Sequence, residues 1–328
     1  MSNTKWLVAL ALIAMGTTAT ARDIVFDYSQ QAVPEESGVR FEKITEDADC
    51  VNDNGLVGRN AGSWWVGPQL AVSPDGTRIA YINNRNRMQN IMVKPTTRGG
   101  TSIQRTQRVN VKDLSWSSDG KTLCFTEYRN KHHGIYLTNA DQGSIVRQIN
   151  NGNDNDFCGV LINGGNTVLF HRQEGRGNFG LWEYDFKTNM FANFSRGMNP
   201  IPIPGQKNTV YCTRMTDRGD GEIWRVNYET GNEELILGQP EKSFSTPQLS
   251  PDGNWLICTG SSISELTQQR NTDIYAIRTD GTQLTQLTFH PGNDLSAVWS
   301  PDGRSIYFLS QRGSAEKYYN IWKMDFNL

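Results

Sequence analysis

Apolar and polar positions in this chain alternate in short runs, and the runs repeat. In the clearest case, Ala297-Val298-Trp299 precedes the turn Ser300-Pro301-Asp302-Gly303, and Ile306-Tyr307-Phe308 follows it. Proline presets the φ of a first turn residue, aspartate bonds to nearby backbone and glycine accepts positive φ. The stretch therefore predicts a tight β-hairpin. The hairpin recurs at Ser73-Pro74-Asp75-Gly76, Ser117-Ser118-Asp119-Gly120, Ile162-Asn163-Gly164-Gly165 and Ser250-Pro251-Asp252-Gly253, with a degenerate version at Pro204-Gly205-Gln206-Lys207. Anchored on Gly76, Gly120, Gly165, Lys207, Gly253 and Gly303, the six units are spaced by 44, 45, 42, 46 and 50 residues. A period near 45 has room for four strands and predicts stacked or radially arranged units.

Side-chain alternation fixes the register. Three residues after the anchors stand Ile79, Leu123, Val168, Val210, Leu256 and Ile306; five after stand Tyr81, Phe125, Phe170, Cys212, Cys258 and Phe308. These positions share one face of a second strand. Four before the anchors, on the first strand, stand Val72, Trp116, Leu161, Ile203, Leu249 and Trp299. A third strand begins at Ile91, Ile135, Leu181, Ile223, Ile274 and Ile321, each followed by Met, Tyr or Trp. An outer strand is visible at Ser144–Ile149 and Gln283–Thr288, and more weakly at Phe191–Ser195, Glu233–Leu237 and the polar Ser102–Gln107. The sixth unit lacks one, while a spare segment, Phe41–Thr45, stands ahead of the first hairpin. The prediction is an all-β, six-bladed β-propeller of four-stranded blades spanning residues 41–328. Its last blade is closed by the N-terminal strand, which leaves only short, protected edges.

Composition adds little beyond exclusions. An apolar share of 37% supports a packed core. With 32 basic against 34 acidic residues, no basic stripe for nucleic acid is expected. Helical apolar periodicity is confined to the N-terminus. There Lys5, the run Trp6–Met15 and the small residues Ala19-Thr20-Ala21 form the three parts of a secretory signal. The run is too short to span a bilayer comfortably. Cleavage after Ala21 is expected, giving an exported protein, periplasmic or otherwise, with a 22–40 extension and no transmembrane segment after cleavage.

The Trp299–Gly303 turn, the Ile321-Trp322 third strand and the Leu284–Thr288 outer strand resemble the WD-like repeats of the TolB-type β-propeller family. The resemblance covers about residues 41–328. It implies a periplasmic propeller that binds other envelope proteins, notably a peptidoglycan-associated lipoprotein. The family's eponymous member carries an α/β domain ahead of its propeller. Only residues 22–40 stand there in this chain, so no contact through such a domain is expected.

Catalytic chemistry is sparse in the sequence. There is no Gly-x-Ser-x-Gly elbow, no His-Glu-x-x-His and no phosphate-binding Gly-Lys loop. The four histidines lie in three separate places: His132 and His133 among cationic neighbours as solvated loop residues, His171 at the end of a second strand, and His290 in a polar connector. No pair has metal-ligand spacing, so no metal or other cofactor is expected. The acidic pieces Asp154-Asn155-Asp156 and Asp217–Glu222 read as solvated turns. Five cysteines leave at least one unpaired; Cys212 and Cys258 replace aromatics and read as buried apolar residues. What remains is one loop face, made by the loops joining second to third strands and outer to next inner strands. It carries Arg85, Arg87, Arg129, Arg172, Arg176, Arg214, Arg218 and Arg312, with Asp154, Asp156, His290, Asn293 and Asp294 as hydrogen-bonding companions. Arginine binds carboxylates bidentately, and proteins, peptidoglycan and acidic glycans all present them. The expected function is non-enzymatic binding, as a monomer, of an envelope protein or glycan through this face. The alternative is a carbohydrate-active lyase or hydrolase with its site in the channel.

Overall fold

The computed structural model describes residues 33–46, 51–52, 67–83, 89–107, 110–149, 154–263, 270–313 and 318–328. The signal segment, Cys50, Trp64, Trp65, Arg85 and Arg87 lie outside them. Six antiparallel sheets form six blades. Five run in simple meander order from an inner strand outward. The inner strands are Leu70–Val72, Val111–Trp116, Asp156–Ile162, Met198–Pro202, Ser243–Leu249 and Asp294–Trp299. Each packs against the next, and the last packs against the first, so the ring closes. In the sixth blade the outer strand is Phe41–Lys43, paired antiparallel to Tyr318–Asp325 with Phe41 opposite Met324. Val51–Asn52 pairs with the same strand nearer its start.

The recurring turns explain the recurring strands. In four hairpins a serine hydroxyl donates to the aspartate two residues on: Ser73 to Asp75 and Ser300 to Asp302 at 2.5 Å, Ser117 to Asp119 and Ser250 to Asp252 at 2.6 Å. The same hydroxyl accepts from the first backbone N–H of the second strand, as from Trp255 and Ser305 at 2.9 Å. Gly76, Gly120, Gly253 and Gly303 sit at φ 71° to 75°, where a side chain is strained. In the degenerate turn, Asn208 takes a left-handed conformation (φ 62°).

The residues three and five after each anchor are all buried, and they pack between neighbouring blades as separate apolar layers. Cys212 and Cys258 fill aromatic positions as buried thiols; Cys124 and Cys158 are buried thiols as well, and none of the four is in a disulfide among the described residues. The third strands begin one to four residues earlier than the apolar pattern indicates, at Asn90, His132, Asn178, Gly221, Arg270 and Tyr318. Backbone pairing continues into polar residues there because the ladder needs only main-chain groups. Among the described residues, no helix is long and apolar enough to cross a membrane.

Candidate functional site

Meander topology puts the first–second and third–fourth hairpins on one face. The second–third loops and the connectors between blades lie on the other. The latter is the face on which sequence places the arginines, and the structure divides them.

Three arginines are drawn into the fold. Arg172 forms a two-pronged pair with Asp156, at 2.7 and 2.9 Å, and reaches Asp154 at 3.1 Å. Arg214 holds Glu233 at 2.6 and 2.7 Å. Arg312 holds Glu36 through both terminal nitrogens at 3.0 Å and Asp294 at 2.7 Å. Each guanidinium also lies over an aromatic ring: Arg172 over Trp182 at 4.6 Å, Arg214 over Trp224 at 5.0 Å, Arg312 over Phe41 at 4.2 Å. Asp156 and Asp294 are fully buried. Burial pushes the Asp294 carboxyl up, outweighing the opposing pull of Arg312. Arg129 pairs with Glu127 at 2.9 Å yet stays exposed. Arg176 and Arg218 are exposed and make no ion pair among the described residues. In blade five Gly260 stands where Arg172 and Arg214 stand. A Cβ there would lie 2.4 Å from the Tyr275 ring, which Lys242 covers instead at 5.3 Å.

Two sequence expectations need correction. His132 and His133 are not in a solvated loop; they open the strand His132–Asn139. The His133 ring sits between Tyr128 and Phe157, at 4.8 and 4.6 Å, and burial is the main reason its pKa falls to about 4. Asp156 is not in a solvated turn but starts an inner strand as the buried partner of Arg172. Of the remaining candidates, Asp154 is exposed. Asn293 ties blade five to blade six, its Oδ1 accepting from the Thr272 backbone and hydroxyl at 3.1 Å. His290 is buried, and its Nδ1 accepts from Gly292 N–H at 3.0 Å. Burial, then Arg312, lowers its pKa to about 4.

The channel holds a feature that the sequence reading missed. Gln69, Asp113, Cys158, Thr246 and Ser296 each stand seven residues before their anchor, and Asn199 stands eight before its own. All six are polar or sulfur-bearing, and all are buried. The inner-strand register shifts at this level in every blade but the first, and Cys158, Asn199, Thr246 and Ser296 take φ between 51° and 57°. Bulges of this kind re-aim side chains. Contacts cross between blades: Cys158 Sγ is 2.9 Å from Asn199 Oδ1 and 3.5 Å from Asp113 Oδ2, and Gln69 N–H donates to Ser296 Oγ at 3.4 Å. The belt was legible as one polar or sulfur-bearing residue seven or eight positions before each hairpin anchor. A cavity of about 330 Å³ extends from Asp113, Cys158 and Asn199 toward the hairpin face, walled by Trp116, Trp299 and Pro202. Burial pushes the Asp113 carboxyl up to about 6 and raises the Cys158 thiol. Among the described residues, no group of three or more His, Cys, Asp or Glu side chains is placed to hold a metal ion.

The fold is a six-bladed β-propeller with four-stranded antiparallel blades. Residues 198–327, blades four to six, match the family model described as the TolB beta propeller domain. Among solved structures, the chain is similar to a putative TolB from Agrobacterium tumefaciens, with a TM-score of 0.60 and 15% identity over 80% of this chain and 90% of that one. It is similar to TolB from Acinetobacter baumannii, with a TM-score of 0.59 and 16% identity over 76% of this chain but only 64% of that one. It is also similar to an oligogalacturonate lyase from Vibrio parahaemolyticus, with a TM-score of 0.59 and 11% identity over 91% and 96% of the two chains. At these identities the likeness concerns the fold.

Proposed function

We propose that this protein is an exported, TolB-like binding propeller that recognises a cell-envelope protein or glycan through its second–third loop face. The observation that carries the proposal is the division of the arginines. Arg172, Arg214 and Arg312 are engaged inside the fold, whereas Arg176 and Arg218 project from the same face without a carboxylate partner among the described residues, beside the exposed Arg129. Unpaired cations on loops held by a rigid ring suit reversible recognition of carboxylates. The family match supports the same class of role.

The test is capture from envelope extracts by the tagged mature protein, with retained species identified, against the variant Arg129→Ala, Arg176→Ala, Arg218→Ala. Exposed pairs contribute about 0.2–1 kcal/mol each, so the triple variant should lose at least several-fold in retention. Its melting temperature should stay near that of the parent. Undiminished capture by the variant places recognition elsewhere.

A second reading, a lyase or hydrolase working in the channel, is favoured by one observation. Asp113 combines burial, a pKa of about 6 and a place on the cavity wall, as a general acid or base requires. Turnover of oligogalacturonate that is abolished by Asp113→Asn would promote this reading over the first.

A further inference from the structure

Blade five carries a groove of about 1030 Å³ on the loop face. Its walls are the facing ends of the strands Trp255–Ile263 and Arg270–Arg278, the connectors on either side of the blade, and the N-terminal turn Pro34–Glu36. In one wall sits Asp273, only 7% exposed. Its Oδ2 accepts one long bond from Asn271 Nδ2 at 3.3 Å, and its Oδ1 has no partner. An unpaired buried acceptor is costly, and Asp273 is part of the groove wall, so its carboxyl points to a ligand group that completes it.

The surroundings narrow the chemistry. Burial first, then the charges of Asp294 and Glu36, drive the Asp273 carboxyl up to about 8 against the opposing pull of Arg312 and Lys242. At neutral pH it is therefore mainly protonated and offers one donor and one acceptor side by side, as a sugar hydroxyl does. Asn271 adds an amide beside it. Phe289, 38% exposed, forms part of the wall, and its backbone is fixed by a 2.8 Å bond to Glu36, the same carboxylate that holds Arg312. The rim sets two cations, Arg270 and Lys242, against three acids, Glu35, Asp220 and Glu241. Mixed charge gives little hold on a polyanion or polycation. A ligand with an apolar face and a hydroxylated edge uses every part of this wall.

We propose that the blade-five groove is a saccharide-binding site, in which Asp273 and Asn271 pair with ring hydroxyls or an acetamido group and Phe289 packs against the apolar face of one sugar ring. This deepens the loop-face reading and rests on it.

Isothermal titration of the mature protein tests the proposal with two probes. The disaccharide of N-acetylglucosamine and N-acetylmuramic acid represents the peptidoglycan strand; neutral cellotriose represents an external polysaccharide. Saturable binding of either supports the site, and the preferred probe identifies the source. Asp273→Ala and Phe289→Ala should each weaken binding about tenfold or more, an effect near 1.4 kcal/mol. Asp273→Asn, which keeps a neutral donor and acceptor, should stay within about threefold of the parent. Melting temperatures near the parental value show that the variants fold. No saturable binding of either probe overturns the proposal, as does binding that survives both alanine variants. Capture of an envelope protein that depends on Arg129, Arg176 and Arg218, with silence toward both sugars, overturns the saccharide site and leaves the loop-face reading standing.

Discussion

Asp113 shows how one residue's place in the ring sets its chemistry. It accepts from the Thr126 hydroxyl at 2.9 Å and is almost wholly removed from water. Its pKa of about 6, against an ordinary 3.8, means that ionisation is disfavoured in the fold. For such a group stability is fullest below the unfolded value near 3.8 and is lost as pH rises through about 6. At about 1.4 kcal/mol per pKa unit, the penalty at neutral pH is on the order of 3 kcal/mol. Asp113→Asn should therefore raise stability in urea at pH 7 by up to that amount, with little gain at pH 4; equal gains at both pH values would refute the assignment. The hairpin aspartates act in a separate window. Asp75, lowered to about 2 chiefly by the Ser73 hydroxyl, gives support that is lost only as pH falls below its unfolded value near 3.8. At this scale the sequence was informative where chemistry is local. Ser300, Asp302 and Gly303 announce their turn because their partners lie within five residues. Asp156 and His133 were misread because their partners, Arg172 and Phe157, are 16 and 24 residues away and meet them only across strands.

At the scale of elements, the Ser-x-Asp-Gly hairpin is a self-contained unit. Asp302 receives both the Ser300 hydroxyl and the Arg304 N–H, the latter at 3.1 Å. Asp302→Ala removes both bonds while leaving Gly303 its positive φ. Loss of about 1 kcal/mol is expected, measured by chemical denaturation, with the blade count unchanged. Blades three and four keep the same strand order with other turn residues, so the turn sets register without being the only source of it. The inner strands show the converse. Their bulges put Thr246, a β-branched residue, at φ 51°, a conformation its local sequence disfavours. Six inner strands converging on one axis impose that backbone, and the side chains released by the bulges meet as the polar belt.

The whole molecule is held shut from its N-terminal side. Phe41–Lys43 completes the sixth blade, and Thr45 donates to Asn320 at 2.9 Å. Glu36 clamps Arg312 while receiving the Phe289 N–H, so one carboxylate spans the extension, blade six and the wall of the blade-five groove. Removing one member of a buried ion pair costs about 3–5 kcal/mol, so Glu36→Ala should lower the melting temperature markedly. Deleting residues 22–45 should do more, exposing the edge of Tyr318–Asp325 and promoting aggregation, which light scattering would detect. A deletion variant of parental stability would mean that the ring closes without its strap. The sequence by itself determined the number of blades, the register of each hairpin and the strand that closes the ring. Those follow from alternation and turn chemistry, which act over a few residues and repeat six times. Only the tertiary structure decided which arginines are engaged and which are exposed, where the carboxylates are desolvated, and that Asp273 lines a groove. Pairing and desolvation depend on groups brought together from distant parts of the chain, and no local pattern records that distance.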